Sequence, residues 1–394
     1  MSGARGSRGF SLVELLIACA LTLVALAITF AMVNPSQSAF AAESERADEQ
    51  QRLRAAVDSL ARELRGAGRA ARSGPLSGQA FDFWAPLLPL RLGRRNPDPP
   101  GTVCTDVLTI VSVSYGAAET TLAGALAATS GVASLALDPA CPPGDRSCGF
   151  RAGDDVVVYD GTGASDLFTV LDRQAELLTL QHNSPASGYV YPAGSKIAAV
   201  TSRTFFLKED APNDLVQLMR YDGGVGQDVP VVDHVVSLRV ELRGDPRPPR
   251  LTRAETAPAG PWTDYGMPPP PLAAQPAGYP PGENCLFARG AGGVAVSRLL
   301  PLAPQADGLA ALDVSMLTDG PWCPDALHPN RFDADLLRVR SVVLTLRVEV
   351  ANAAMRGPAG VLFSRGGTSR SARRFVPDEE VTVVVSPGNL AARR

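Results

Sequence analysis

The side chains able to do chemistry are few and poorly assembled for catalysis. In 394 residues there are three histidines, His182, His234 and His328. Each sits beside turn-forming residues, where a satisfied or exposed imidazole is the ordinary outcome rather than a general base. There is no nucleophile elbow, metalloprotease helix or phosphate loop, and the glycines of "DGTGASD" and "YDGGVGQD" lie between strand-like runs and read as hairpin turns. Asp154, Asp155, Asp160 and Asp166 crowd together but lack the loop spacing and twelfth-position glutamate of a calcium hand. Arg365, Arg370, Arg373 and Arg374 in "SRGGTSRSARRF" have the charge to neutralise phosphates. Aromatic interleaving is missing there, and Glu379 and Glu380 follow, so a solvated loop is expected and DNA is not an expected partner. No catalytic residue, no metal and no cofactor are expected, and the chain does not read as an enzyme.

Six cysteines remain. Cys19 lies in an apolar run and reads as a small packing residue. "CPPGDRSC" closes a short turn, so Cys141 with Cys148 is a natural local pair, and Cys285 with Cys323 would tie the ends of a loop-rich stretch. That leaves Cys104, whose pairing with Cys141 or Cys148 is nearly as well supported, because sequence does not fix connectivity. No pair has the two-residue spacing of a zinc knuckle.

One charged group is conspicuous for its cost. In "GFSLVELLIACALTLVALAITFAMV", residues 9 to 33, Glu14 is the only ionisable group apart from the Cys19 thiol. An acid at mid-helix in a bilayer costs ~2.5 to 3.5 kcal/mol, so something must compensate for it. The run from Phe10 to Val33 is long enough, at ~1.5 Å per residue, to span a ~30 Å hydrocarbon core. Arg5 and Arg8 precede it and no basic residue follows until Arg46, which places the N-terminus in the cytoplasm and the remainder outside. A secretory signal peptide would carry its small residue after the apolar core. Here the small residue, Gly9, comes first.

The elements that carry these groups follow from periodicity. After the apolar run, "ESERADEQQRLRAAVDSLARELRGAGRA" places Leu53, Val57, Leu60 and Leu64 on one helical face, with Pro35 as a candidate kink and Gly66 and Gly68 as a stop. Beyond the helix come short runs rich in β-branched and aromatic residues, at 106 to 115, 154 to 161, 166 to 172, 176 to 182 and 203 to 208. Later runs occupy 230 to 243, 336 to 350 and 380 to 386. Their close spacing favours antiparallel hairpins over helical crossovers. Residues 246 to 282 hold 12 of the chain's 34 prolines and read as an extended surface insertion. Hydrophobic residues make up 45% of the chain and the net charge is −3, which suits a globular domain and gives no overall basic footprint.

The order Gly9, Phe10, Ser11, Leu12, Val13, Glu14 resembles the processing site of type IV prepilins. That resemblance implies cleavage of a basic leader after Gly9 by the prepilin peptidase and N-methylation of Phe10. It implies that Glu14, fifth in the mature chain, pairs with the N-terminal ammonium of a neighbouring subunit. The head motifs "LARELRGAGRA", "TDVLTIVSVSY", "GDDVVVYDGTG", "LFTVLD", "RTFFLK", "LMRYDGG", "VVDHVVSLRVELRG" and "VPDEEVTVVVSPGNLAARR" resemble the PilW-type minor pilins. They cover most of the chain outside 116 to 145 and 244 to 335.

What the resemblance implies is an α+β, pilin-like fold: a long N-terminal helix, transmembrane in its first half, packed on a mainly antiparallel β head. The expected layout is a leader at 1 to 9, a transmembrane half at 10 to 33 and a periplasmic amphipathic half at 34 to 68. The head then occupies 69 to 394. The implied role is a minor pilin in the priming or tip complex of a type IV pilus, first in the inner membrane with a periplasmic head and then in the filament. Its implied partners are other minor pilins, the major pilin, the prepilin peptidase and a pilus-tip adhesin. The alternatives are a GspJ-type minor pseudopilin of a type II secretion system, or an adhesin or DNA-binding head displayed on a pilin stem.

Overall fold

The computed structural model describes residues 11–68, 85–90, 106–113, 117–127, 131–139, 141–159, 165–182, 190–210, 213–222, 228–248, 287–293, 295–323, 332–369 and 375–391. It opens with one 55-residue helix, Leu12–Gly66, which runs on through Pro35 without an interruption of helical structure. A proline removes a single backbone bond, and the helix-forming residues on both sides carry the helix past it.

The chain divides into two compact units. One takes the helix as far as Gln51 together with Glu349–Glu379, and the other takes Arg52–Val348 together with the chain from Glu380 onward.

In the second unit the last turns of the helix bury Leu53, Ala56, Leu60, Ala61 and Leu64 in one core with Leu108, Ile110, Phe205, Leu218, Leu238, Val342, Leu344 and Leu346. The three- and four-residue spacing puts the leucines on one stripe, and each buried leucine stabilises by ~1.5 to 3 kcal/mol. Glu63 on the neighbouring face is ion-paired with Arg203. The helix stops where Gly68 takes φ 68°, a left-handed conformation open to glycine, and Asn389 Nδ2 donates to the freed carbonyl of Ala67 at 3.1 Å.

The head is mainly antiparallel β. Its ten-stranded sheet is organised by the 15-residue strand Lys196–Asp210. The first part of that strand pairs with Glu119–Thr121 and Asp155–Tyr159, the second with Leu108–Ser112 and Leu215–Tyr221. Asp155–Tyr159, Ser165–Gln174 and Leu177–His182 follow as successive antiparallel neighbours. A separate four-stranded sheet runs Ala310–Leu312, Val235–Gly244, Val339–Val348, Glu379–Val385. Its alternation gives Val342, Leu344, Leu346 and Val348 to the core shared with the helix.

Two runs differ from their expected extents. The 230 to 243 run is two strands, Val229–Asp233 and Val235–Gly244, broken at His234 with φ 62° and assigned to different sheets. The 336 to 350 run opens as a 3-10 turn, Ala334–Arg338, because Asp333 caps it by accepting from Asp335 N at 2.8 Å. The strand begins only at Val339.

A second core, around Phe150, Val158, Phe168, Leu178, Tyr191 and Ile197, underlies the hairpins of the large sheet. Cys141 and Cys148 are joined by a disulfide at its margin, Cα to Cα 4.5 Å. The enclosed turn is folded on Asp145, which accepts from Ser147 N (2.9 Å), Ser147 Oγ (2.6 Å) and Gly149 N (3.1 Å).

Several of the buried charges among the described residues lie in pairs or clusters, which offsets their desolvation penalty. Lys196 Nζ lies 3.0 Å from Glu119 Oε1. Arg338, 1% exposed, has Nε 2.6 Å from Asp335 Oδ1 and donates to the carbonyls of Pro246 (3.2 Å) and Leu300 (2.8 Å). It therefore ties the start of the proline-rich stretch and the 299 to 302 segment to the four-stranded sheet.

Candidate functional site at the start of the long helix

Ser11 and Glu14 form a reciprocal pair at the helix N-terminus. Ser11 N donates to Glu14 Oε2 at 2.9 Å, and Glu14 N donates to Ser11 Oγ at 3.2 Å. This is the arrangement that a serine followed three residues later by a glutamate produces just before an apolar helical run, a capping box. It satisfies two of the orphan donors at the helix start and holds the carboxylate at the end of the macrodipole that favours negative charge. Glu14 is exposed, so its carboxylate is open to a neighbour. The spacing was present in the sequence as Ser11–Leu12–Val13–Glu14, although reading Glu14 only as a cost in the bilayer passes over it.

The helix that follows is long and apolar enough to cross a membrane. Leu12–Met32 has a mean hydropathy of 2.6 and none of it is buried within the chain. Its 21 residues reach ~30 Å, the thickness of a hydrocarbon core. The two hydroxyls within it are turned back on the helix: Thr22 Oγ1 donates to Ala18 O at 2.7 Å and Thr29 Oγ1 to Ala25 O at 2.8 Å. That removes unsatisfied donors from an apolar surface. Cys19 is free and exposed on the same surface.

Gly9 and Phe10 lie outside the described residues, as do Cys104, Cys285, Asp160, His328, Arg370, Arg373 and Arg374. Cys323 ends the two-residue strand Trp322–Cys323. The other groups singled out in the sequence are held in local contacts. His182 packs edge-on against Phe168, ring centroids 4.6 Å apart, with Nε2 3.4 Å from Asp166 Oδ1. Asp154 accepts from Arg151 N at 2.8 Å and Asp155 from Thr169 Oγ1 at 2.8 Å. Among the described residues no group of three or more His, Cys, Asp or Glu could hold a metal ion. The glycine-bearing segments "DGTGASD" and "YDGGVGQD" each connect antiparallel partners, Asp155–Tyr159 with Ser165–Gln174 and Leu215–Tyr221 with Val229–Asp233.

Arg365 is bound within the protein. Its Nε lies 3.1 Å from both carboxylate oxygens of Glu349, which is fully buried and also accepts from Arg356 Nη1 at 3.0 Å. Sequence reading put Arg365 in a solvated basic loop and missed this cluster. Its members are separated by irregular backbone, and no periodic pattern signals the pairing.

Residues 4–30 match the family described as the prokaryotic N-terminal methylation motif. The match begins before the described residues and takes in Ser11, Glu14 and most of the apolar span. No curated protein matches the chain. Motif, apolar helix and antiparallel β head together support a type IV pilin-like protein, a class that takes in pilins and pseudopilins. The motif implies processing by a prepilin peptidase and assembly with other pilins.

Proposed function

We propose that the chain is a minor pilin of the PilW type, acting in the priming or tip complex of a type IV pilus. The observation that carries this reading is the methylation motif set directly on an unburied apolar helix with an open carboxylate at its start. In this reading Gly9 ends a leader that the prepilin peptidase removes, and Phe10 becomes the methylated N-terminus. The helix anchors the precursor in the inner membrane, N-terminus inside and head outside, and the function lies in contacts with other minor pilins and the major pilin. Glu14 meets the N-terminal ammonium of a neighbouring subunit on assembly. In this reading the capping box lets an unassembled subunit tolerate the acid, since the carboxylate already accepts an amide hydrogen bond at the end of the span rather than in its middle.

The test is mass spectrometry of the protein extracted from membranes. Phe10 is expected as the N-terminal residue, carrying one methyl group. Persistence of Met1 in cells with an active prepilin peptidase would overturn the assignment. Deletion of the gene separates the pilus from the secretion system: the proposed role requires loss of pili with secretion intact.

A further inference from the structure

We infer that the turn Gly360–Phe363 is a docking knob that seats against the apolar stem helix of a second pilin-type subunit. This rests on the pilin reading above but names a site outside its N-terminal motif. Gly360 N donates to Phe363 O at 2.8 Å and Phe363 N to Gly360 O at 3.3 Å, so the two residues between them form the tip of a tight turn. Those residues are Val361, 91% exposed, and Leu362, 58% exposed. No other large apolar side chain among the described residues is as exposed as Val361. Turn tips ordinarily carry glycine, asparagine or aspartate, and a valine side chain left almost wholly in solvent is an unusual occupant of one.

The surrounding loop is locked. Ser364 N donates to Asp378 Oδ2 at 2.6 Å and Asp378 N to Leu362 O at 3.0 Å. Gly367 N donates to Gly357 O at 2.8 Å, Thr368 N to Ala353 O at 2.8 Å, and Val376 N to Met355 O at 3.0 Å. Beneath the tip, Phe363 packs edge-on against Phe375 with centroids 5.5 Å apart, and Glu349 gathers Arg356 and Arg365. An apolar pair held on so constrained a loop has its ordering cost already met, the condition under which a few side chains carry a large share of binding.

The occupant follows from what the same compact unit holds. Glu379 N donates to Glu49 Oε1 at 2.9 Å, which fixes the loop to the helix 17 residues past Met32, the end of the apolar span. That anchor lies about 25 Å beyond the span, outside the roughly 5 to 8 Å headgroup layer, so the knob meets a second subunit's apolar helix where assembly draws that helix out of the bilayer. This chain leaves its whole apolar stem unburied, so an assembly of such chains offers apolar helices in want of cover, and an apolar knob is complementary to that surface.

The experiment places a benzophenone amino acid at position 361 of the full chain, in cells that make the whole assembly, and maps adducts by mass spectrometry. An adduct on the apolar helix of a second subunit is the expected result. An adduct only on lipid or on the chain itself, or no adduct, overturns the proposal. A second measurement uses Val361→Asp with Leu362→Asp, changes at exposed positions that leave the fold intact. Recovery of partner subunits on co-purification should fall about tenfold, the effect of losing one interface anchor. Unchanged recovery overturns the knob. Processing at Phe10 is read in the same samples: a processed chain with no adduct defeats the knob alone, and an unprocessed chain defeats the pilin reading.

Discussion

At the scale of the residue, Glu14 has two partners at two stages. Within the chain it accepts from Ser11 N, and in a filament the proposed partner is a neighbour's ammonium. Glu14→Ala should therefore leave membrane levels and leader removal near wild type. It removes a costly acid, and it also removes one half of a cap whose loss costs ~0.5 to 2 kcal/mol at a helix start. Assembly should suffer more, because breaking one half of a buried pair costs ~3 to 5 kcal/mol. The check is piliation and co-purification of the variant in a deletion strain, and full restoration by Glu14→Ala would refute the charge-pairing role. A second residue-scale case is Asp335. Burial pushes its carboxyl up to about 6, with the nearby Asp333 adding to the rise and the Arg338 guanidinium 2.6 Å away limiting it. The desolvation penalty outweighs the ion pair here, so the folded chain holds this proton more tightly than the unfolded one. The site then favours folding most below the ordinary value of 3.8, and that contribution is lost as pH rises to about 6. Unfolding midpoints of the detergent-solubilised chain, taken between about pH 4 and about pH 7, should show this decline, and Asp335→Asn should flatten it.

At the scale of the element, the long helix does two jobs that one periodic pattern cannot express. Its second half is legible because Leu53, Leu60 and Leu64 repeat on a 3.6-residue stripe, and all three are buried in the head core. Leu60→Ala or Leu64→Ala should lower head stability by ~2 to 5 kcal/mol, read by chemical unfolding, because each leaves a cavity in a core closed on several sides. Leu16→Ala, on the unburied half, should change it by less than ~0.5 kcal/mol. Strands were legible where β-branched residues are dense, as at Asp155–Tyr159 and Val339–Val348. Their ends were less so. Lys196–Asp210 extends seven residues upstream of the "RTFFLK" run because pairing with Glu119–Thr121 and Asp155–Tyr159 recruits "KIAAVTS", a stretch with weak strand propensity at Ala198 and Ala199. The break at His234 was hidden for a related reason: a left-handed residue other than glycine leaves no mark in composition. At the start of the apolar helix Ser11 and Glu14 satisfy a local rule at short range, which a reading of Glu14 as a cost in the bilayer passes over. The ion clusters were the least legible, because Lys196–Glu119 and Glu349–Arg365 join residues far apart in sequence with no shared period.

At the scale of the whole molecule, the large interruption of the chain is the proline-rich stretch, and the protein treats its first residues differently from the rest. Asp245 N donates to Arg338 O at 2.9 Å, and Pro246 O accepts from both Leu302 N at 2.8 Å and Arg338 Nη1 at 3.2 Å. Residues 245 and 246 thus belong to the sheet's support even though composition assigns Pro246 to the insertion. Two replacements by a short Gly-Ser linker should behave differently. One that removes residues 249 to 282 keeps the Pro246 carbonyl, and its unfolding midpoint should stay close to wild type. One that removes 246 to 282 takes away an acceptor from a guanidinium that is almost fully buried, and an unsatisfied buried polar group costs ~1 to 3 kcal/mol, more when charged. The longer deletion should therefore unfold at measurably lower denaturant while the shorter does not. Equal midpoints would mean that Arg338 is held by Asp335 and Leu300 alone, and a destabilised shorter deletion would assign residues 249 to 282 to the support of the head.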